Sequence, residues 1–425
     1  MKKIQNSIKS KNFRKLFLLS SFSVAFYGNM YGLGGILMTS FLLYLGANAR
    51  DIGILAALPS LTNLLQVLSI RIYEKAKSRK KVVIFFTIFQ YIFFYLIIII
   101  PKITTGHYQI ILLIVCFLFG HLFRAMKGSG ILEWNNFFVP AEIKGKYYSN
   151  KNLFSNLVYI MTSLIVGKIL DVYADSYSTY LVLFLITAVF SIIEVIGYVK
   201  IDDYNEDLIV RDKTKFRHML LLPLKNKTYR YFMIFSLSWF FARSMAMPYY
   251  TFYSKIVLNL DYMYIALIGS ITGLIKMFVA NPFGNLGDKK GWRRTLQFMG
   301  LAFAFTNIMW GLINEKSLVL YPFVIILTGI FMIGTNIAIF NLNIELSSSK
   351  NRLLFFGFNA SLTAIFSFVG PNLASFLMDK LRDVNINIFN MNVNGYQIVF
   401  FISGILQGIA IFVFAIYLKS LEKSI

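Results

Sequence analysis

Gly284-Asn285-Leu286-Gly287-Asp288-Lys289-Lys290-Gly291-Trp292-Arg293-Arg294 is the stretch that decides the fold. It is a short basic turn with three glycines and one aspartate, set between two apolar runs of bilayer-spanning length. Crossing the hydrocarbon core takes about 20 apolar residues in a helix. Two spans joined by such a turn form a helical hairpin: glycines permit the tight reversal, and lysines and arginines hold the loop on the cytoplasmic side. Asp288 is placed to cap or pair at the start of a neighbouring helix.

The same balance holds along the whole chain. Of its 425 residues 57% are hydrophobic and only 14% charged, with mean hydropathy +0.65. Soluble domains carry about 25% charged residues, so the composition predicts an integral membrane protein. A net charge of +23 would point to nucleic acid in a soluble protein. Here 31 of the 42 lysines and arginines fall in or at the edge of segments predicted to be cytoplasmic, 7 at the outer side and 4 deep within spans. That asymmetry reports topology rather than a polyanionic partner. The single cysteine, Cys116, excludes an intramolecular disulfide. The first apolar stretch is too long for the core of a cleaved signal peptide.

Spanning runs lie near 16–45, 52–72, 82–101, 108–131, 153–172, 179–200, 231–257, 263–285, 295–313, 318–342, 354–378 and 396–418. Twelve is an even number, so both termini face one side. Lys2, Lys3, Lys9, Lys11, Arg14 and Lys15 make that side the cytoplasm. The polar insert 201–228 separates six spans from six, dividing the chain into an N-terminal bundle 1–200, a cytoplasmic linker and a C-terminal bundle 229–425. Asn12-Phe13-Arg14 before the first span has a counterpart in Thr228-Tyr229-Arg230 before the seventh. Ser149-Asn150-Lys151-Asn152 similarly parallels Phe356-Gly357-Phe358-Asn359, in the same order and at a similar offset. A two-fold internal repeat follows, with parallel halves.

The 284–294 turn reads G-x-L-x-D-x-x-G-x-R-R and resembles the signature of the major facilitator superfamily of twelve-helix secondary transporters. Arg124, Gly128 and Gly130 are similar to the R-x-x-x-G-x-G pattern of the fourth helix in proton-coupled members. Pro140 to Gly145 is similar to the P-x-x-x-R-G connection, with Lys144 in the arginine position. The loop Arg71 to Lys81 lacks the Gly and Asp of the first signature, which shifts any gating latch to the C-terminal half. The resemblance implies an all-α membrane protein of two pseudo-symmetric six-helix bundles. It also implies a cytoplasmic gate formed by Gly284, Asp288, Gly291, Arg293 and Arg294 with Glu345 and Arg352.

Four basic residues stand inside spans: Arg124, Lys127, Arg243 and Lys276. A charge at mid-span costs at least ~2.5–3.5 kcal/mol on insertion scales and usually marks function. Arg243 follows Arg230 by 13 residues and Lys276 precedes Asp288 by 12, about 20 and 18 Å along a helix, so both lie near the bilayer centre. A water-filled passage is one reading; pairing with a structural acid or snorkelling outward is the other. His121, Arg124 and Lys127 are three apart and share a helix face, with His121 either a proton-coupling partner alongside Arg124 or a packing residue. Tyr27, Asn29, Trp239, Tyr250 and Asn336 fall at similar depth, either lining the solute path or, for the aromatic ones, simply packing; Trp239 is one turn from Arg243 and within reach of a cation–π contact. Pro248 predicts a bend beyond Arg243. Gly269, Gly273, Ala280 and Gly284 predict a closely packed face.

Central spans rich in fixed cations and poor in carboxylates favour an anionic solute. The sequence therefore predicts a multi-pass protein of the cytoplasmic membrane, monomeric, with both termini inside. It would move a small organic anion by alternating access with proton coupling or exchange. Export of amphipathic drugs or lipid-like molecules is the alternative on the same fold, and a non-transporting membrane sensor the alternative of another class. Three scattered histidines and no metal-spaced or phosphate-cradling motif argue against an enzyme, a metal site, a cofactor or a nucleic-acid partner.

Overall fold

The structure is a computed structural model that describes residues 12, 14–19, 21, 23, 35–66, 69, 72–73, 75–76, 78–139, 144–202, 222–348, 352–381, 386–388 and 391–422. Its longer helices, in chain order, are α1 (Ile36–Tyr44), α2 (Ala49–Leu65), α3 (Arg79–Ile103), α4 (His107–Phe138), α5 (Lys144–Tyr173) and α6 (Tyr177–Val199). They continue as α7 (Lys227–Ala246), α8 (Tyr262–Lys290), α9 (Trp292–Leu312), α10 (Leu320–Leu346), α11 (Arg352–Lys380) and α12 (Gly395–Glu422). Nine of them, α3–α6 and α8–α12, contain stretches long and apolar enough to cross a bilayer among the described residues. Helix dominates because hydrocarbon offers no hydrogen-bond partner to an unpaired backbone group.

Polar caps mark where several helices begin. Asn48 and Asp51 form a reciprocal capping box at the start of α2, Ser78 accepts from the Lys81 amide at α3, and Asn226 accepts from the Tyr229 amide at α7. At Pro248, where a bend is predicted, the α-helix is interrupted: α7 ends at Ala246, a 3-10 turn covers Met247–Tyr249, and helix resumes over Tyr250–Ile256. One segment departs from an all-helical chain. Between α11 and α12, β1 (Ile386–Ile388) pairs antiparallel with β2 (Met391–Val393), Ile386 opposite Val393. Ile386-Asn387-Ile388 and Met391-Asn392-Val393 alternate apolar and polar residues, the period of a strand.

The chain divides into two compact units: residues 1–51, 61–210 and 261–266, and residues 52–60, 211–260 and 267–425. In the first, α3 packs on α4 and α6 around Tyr73, Val83, Phe86, Trp134, Phe138 and Tyr198. Asp171, at the end of α5, accepts from the amides of Tyr262 (2.6 Å) and Met263 (3.0 Å) and so caps the start of α8. In the second, α7 packs on α11 and α12, and α9 on α10 and α12, around a core that includes Phe232, Trp239, Phe303 and Phe414.

Candidate functional site

α7 carries Arg243 four residues before the Met247–Tyr249 break. The guanidinium is half-buried: Nη1 donates to Asn336 Oδ1 of α10 at 2.9 Å, while Nη2 lies 3.3 Å from the Met332 sulfur and 3.8 Å from that of Met247. These neighbours are neutral, so the positive charge is oriented without being cancelled. Lys276 of α8 is also half-buried and close enough to Arg243 for the two cations to repel. Neither forms an ion pair among the described residues. The Lys276 stem runs along α10 at Gly329, where an added Cβ would lie 2.2 Å from Thr272 Cγ2 and 3.5 Å from the Lys276 Cδ. Only a glycine lets α8 and α10 approach so closely here.

Tyr250 lies just past the break, electrostatically coupled to Arg243. Its ring stacks on Trp310 at 4.5 Å, and its hydroxyl donates to Asn307 Oδ1 of α9. Asn307 donates to Gln407 Oε1 (2.8 Å), Gln407 to Ser403 Oγ (3.3 Å), and Ser403 to the carbonyl of Ala242 (2.7 Å). A buried relay thus ties Tyr250 back to the residue before Arg243. Satisfied networks of this kind rigidify what they touch.

Trp239 packs in the core and makes no contact over the guanidinium among the described residues: it is 1% exposed and its ring packs on Phe235 and Phe303. The bulk of an indole is better accommodated in the α7–α9–α12 core than beside a charge. The packed glycine face of α8 also needs correcting. A Cβ at Gly269 or Gly284 would meet nothing within 4 Å; the close approach is made by Gly329 on the facing helix.

In the first unit, the helix face carrying His121, Arg124 and Lys127 meets an acid. Lys127 Nζ lies 3.2 Å from Glu194 Oε1, with side chains 8% and 4% exposed. The ammonium does not snorkel; it also lies over the rings of Tyr91 (5.6 Å) and Tyr198 (5.9 Å). Tyr91 donates to the other Glu194 oxygen. His121 is 2% exposed and packs between Phe94 and Phe117, ring centroids at 5.4 and 4.3 Å. Arg124 is half-buried and repels both His121 and Lys127. Tyr27 and Asn29 lie outside the described residues.

The basic turn is tighter than the sequence suggested. α8 runs through Gly284 and Asp288 to Lys290, leaving Gly291 alone between helices, at φ +84°. Its amide donates to the Gly287 carbonyl at 2.8 Å. Two of the three glycines stay helical because the i→i−4 bonds around them are intact. Asp288 therefore sits in a last helical turn, not at a helix start, and is exposed, as are Arg294 and Glu345. Among the described residues these three make no ion pair with one another. Arg293 is half-buried, and the side chain of Arg352 lies outside the described residues.

The family model described as Major Facilitator Superfamily matches residues 18–371. The chain belongs to this superfamily. Among solved structures, a mutant form of the nucleoside transporter NupG superposes with a TM-score of 0.75 at 14% identity, covering 95% of this chain and 98% of that one. Another NupG structure gives a TM-score of 0.70 at 16% identity with the same coverage. At such identity the likeness establishes the fold. A comparison with curated protein sequences returns no match. The chain is a multi-pass membrane protein of a transporter family.

Met332 and Asn307 were missed by sequence reasoning. Asn307 had a signal, an amide inside an apolar run; Met332 had none.

Proposed function

We propose that this chain is a secondary active transporter that moves a small organic anion by alternating access, driven by protons or by exchange. It works as a monomer in the cytoplasmic membrane with both termini inside, and the Gly284–Arg294 turn belongs to its inner gate. The observation that carries this reading is the pair Arg243 and Lys276. Two cations near mid-span repel one another, and the direct polar partners of Arg243 among the described residues are an amide and two thioethers. In a low-dielectric surround such charge attracts an anion strongly. A guanidinium held by Asn336 is preset for bidentate carboxylate or phosphate. NupG is a nucleoside transporter; an uncharged nucleoside would leave both cations unanswered, which favours a charged solute here.

Thermal-shift screening of the purified protein tests this, using dicarboxylates, sugar phosphates and nucleoside monophosphates beside neutral nucleosides, sugars and amphipathic cations. Anions should stabilise the wild type and leave Arg243→Ala and Lys276→Ala unmoved. Proteoliposomes should take up the best anion at least about tenfold more slowly with either variant, about 1.4 kcal/mol or more of lost binding. Stabilisation by neutral or cationic compounds alone, or normal transport by both variants, would overturn the reading.

A further inference from the structure

Outside the cationic cluster, the described residues form a groove of about 480 Å³ in the first unit. It is walled by the helical segment preceding α1 and by α3 and α6. Leu18, Leu19, Phe190, Ile193 and Ile196 give it an apolar surface, and Leu18, Phe190, Ile193 and Ile196 are also exposed. In a spanning helix such as α6 those faces are turned to lipid or to whatever replaces it.

The groove also borders Thr187, Ser191 and Glu194, yet it is not polar. Glu194 is 4% exposed and its carboxylate is taken by Lys127 and Tyr91. Thr187 bonds the Phe184 carbonyl (2.6 Å) and Ser191 the Thr187 carbonyl (3.0 Å). Gln90 keeps a buried amide oxygen without a hydrogen-bond partner among the described residues, but at 2% exposure it presents little to an occupant. The walls therefore offer methyl and methylene groups along most of their length. From Thr187 to Lys200 the α6 side runs about 20 Å at 1.5 Å per residue, the length of an acyl chain.

One end of this groove is charged. Lys15 and Lys200 both line it, and Lys15 Nζ donates to the Lys200 carbonyl at 2.7 Å, which holds the Lys15 ammonium at the end of α6. Arg14 is exposed next to them. Asp202, the acid two residues beyond Lys200, is engaged by the Asn12 amide at 3.2 Å. An apolar slot with a cationic mouth at a membrane boundary has the shape and charge pattern of a lipid of opposite polarity.

We propose that this groove is a binding site for an anionic membrane phospholipid. One acyl chain lies along Leu18 and the Phe190–Ile196 face of α6, beside Leu19, which packs on Gly197, and the headgroup phosphate rests on Lys15 and Lys200. The ion pair behind the wall keeps Glu194 from repelling the headgroup and lets a carboxylate-bearing helix pack against hydrocarbon. The site is independent of the solute reading above.

The test uses the full-length protein reconstituted with spin-labelled phosphatidylglycerol or phosphatidylcholine and reads the motionally restricted lipid fraction. Phosphatidylglycerol should be held preferentially, and Lys15→Ala/Lys200→Ala should weaken its retention roughly ten- to thirtyfold, at the worth of a lysine near a lipid surface. Ile196→Trp, which fills the groove while leaving the lysines, should remove the excess of phosphatidylglycerol over phosphatidylcholine in the restricted fraction. Both variants should melt within a few degrees of wild type in detergent without lipid. Equal restriction of the two lipids, or restriction unchanged in both variants, overturns the proposal. So does displacement of phosphatidylglycerol by an amphipathic cation but not by excess anionic lipid, which would make the groove a site for exported amphiphiles.

Discussion

Breaking the Lys127–Glu194 pair from one side should cost more than deleting it. The two side chains are 8% and 4% exposed and 3.2 Å apart, with Tyr91 closing the other carboxylate oxygen. Glu194→Gln leaves an ammonium facing two tyrosine rings and the neighbouring Arg124 with no counter-charge. Lys127→Met leaves a buried carboxylate with the Tyr91 and Tyr198 hydroxyls and only the more exposed Lys151 as a cation in reach. Stranding one member of a buried pair costs about 3–5 kcal/mol. For a unit near 200 residues, each kcal/mol moves the melting point by about 2–4 °C, so each single variant should melt roughly 6–20 °C lower. The double variant Lys127→Met/Glu194→Leu removes both charges at nearly constant volume and should recover at least half of a single variant's loss, so the two substitutions are strongly non-additive. Cys116, the one cysteine, is half-buried on α4, the helix that carries Lys127, so a thiol-reactive fluorogenic dye in detergent reports the melting directly. Single variants within about 2 °C of wild type would refute the reasoning, as would a double variant less stable than both.

Other positions give independent checks. Gly291→Ala forces a side chain to φ +84° and should cost about 1 kcal/mol or more, read as a lower melting temperature. Gly329→Val places its Cβ 2.2 Å from Thr272 and should lower folded yield, with Thr272→Ser giving partial rescue. Asp171→Ala strips two amides of α8 of their acceptor and should cost about 1 kcal/mol; Asp171→Asn should recover part of it. Tyr250→Phe removes the donor to Asn307, about 1 kcal/mol of stability. If the relay to Ala242 orients Arg243, this variant should also weaken binding of the best anion from the thermal-shift screen, whereas unchanged affinity would reduce the relay to a packing device.

Much of the architecture was legible because hydropathy and charge act on whole segments. About eighteen or more apolar residues between lysine-rich ends can hardly be anything but a span, and Pro248 marked the break in α7 from sequence alone. Side-chain placement was harder to read, for a reason specific to lipid. A soluble helix advertises its buried face by contrast with a polar one; a helix such as α6 is apolar all round, so periodicity does not say which side meets protein. Trp239 could equally have faced Arg243 or the core, and bulk decided for the core. Glu194 is a lone acid in the apolar run of α6, and nothing in its sequence neighbourhood says which cation on a neighbouring helix it meets; the structure gives Lys127 at 3.2 Å. The Gly291 turn erred in the other direction: three glycines looked like a loop running from Gly284 to Arg294, but only the one needing positive φ interrupts the helix.

Lys127, Arg243 and Lys276 look alike in sequence, each a lone cation in an apolar run, and the structure separates them by what lies within reach. Lys127 has a carboxylate at 3.2 Å, so its charge is accounted for inside the protein. Arg243 has the oxygen of Asn336 at 2.9 Å, which supplies a dipole but no charge, and Lys276 adds a second positive charge nearby. A carboxylate in place of Asn336 would cancel the guanidinium as Glu194 cancels Lys127; an amide fixes its direction and leaves its field intact. Asn336→Asp is therefore the sharpest substitution in this part of the molecule. It is nearly isosteric, should raise stability by pairing Arg243, and should abolish stabilisation by organic anions in the same thermal-shift assay. Anion stabilisation that survives Asn336→Asp would mean that Arg243 is a structural cation and that solute charge is read elsewhere.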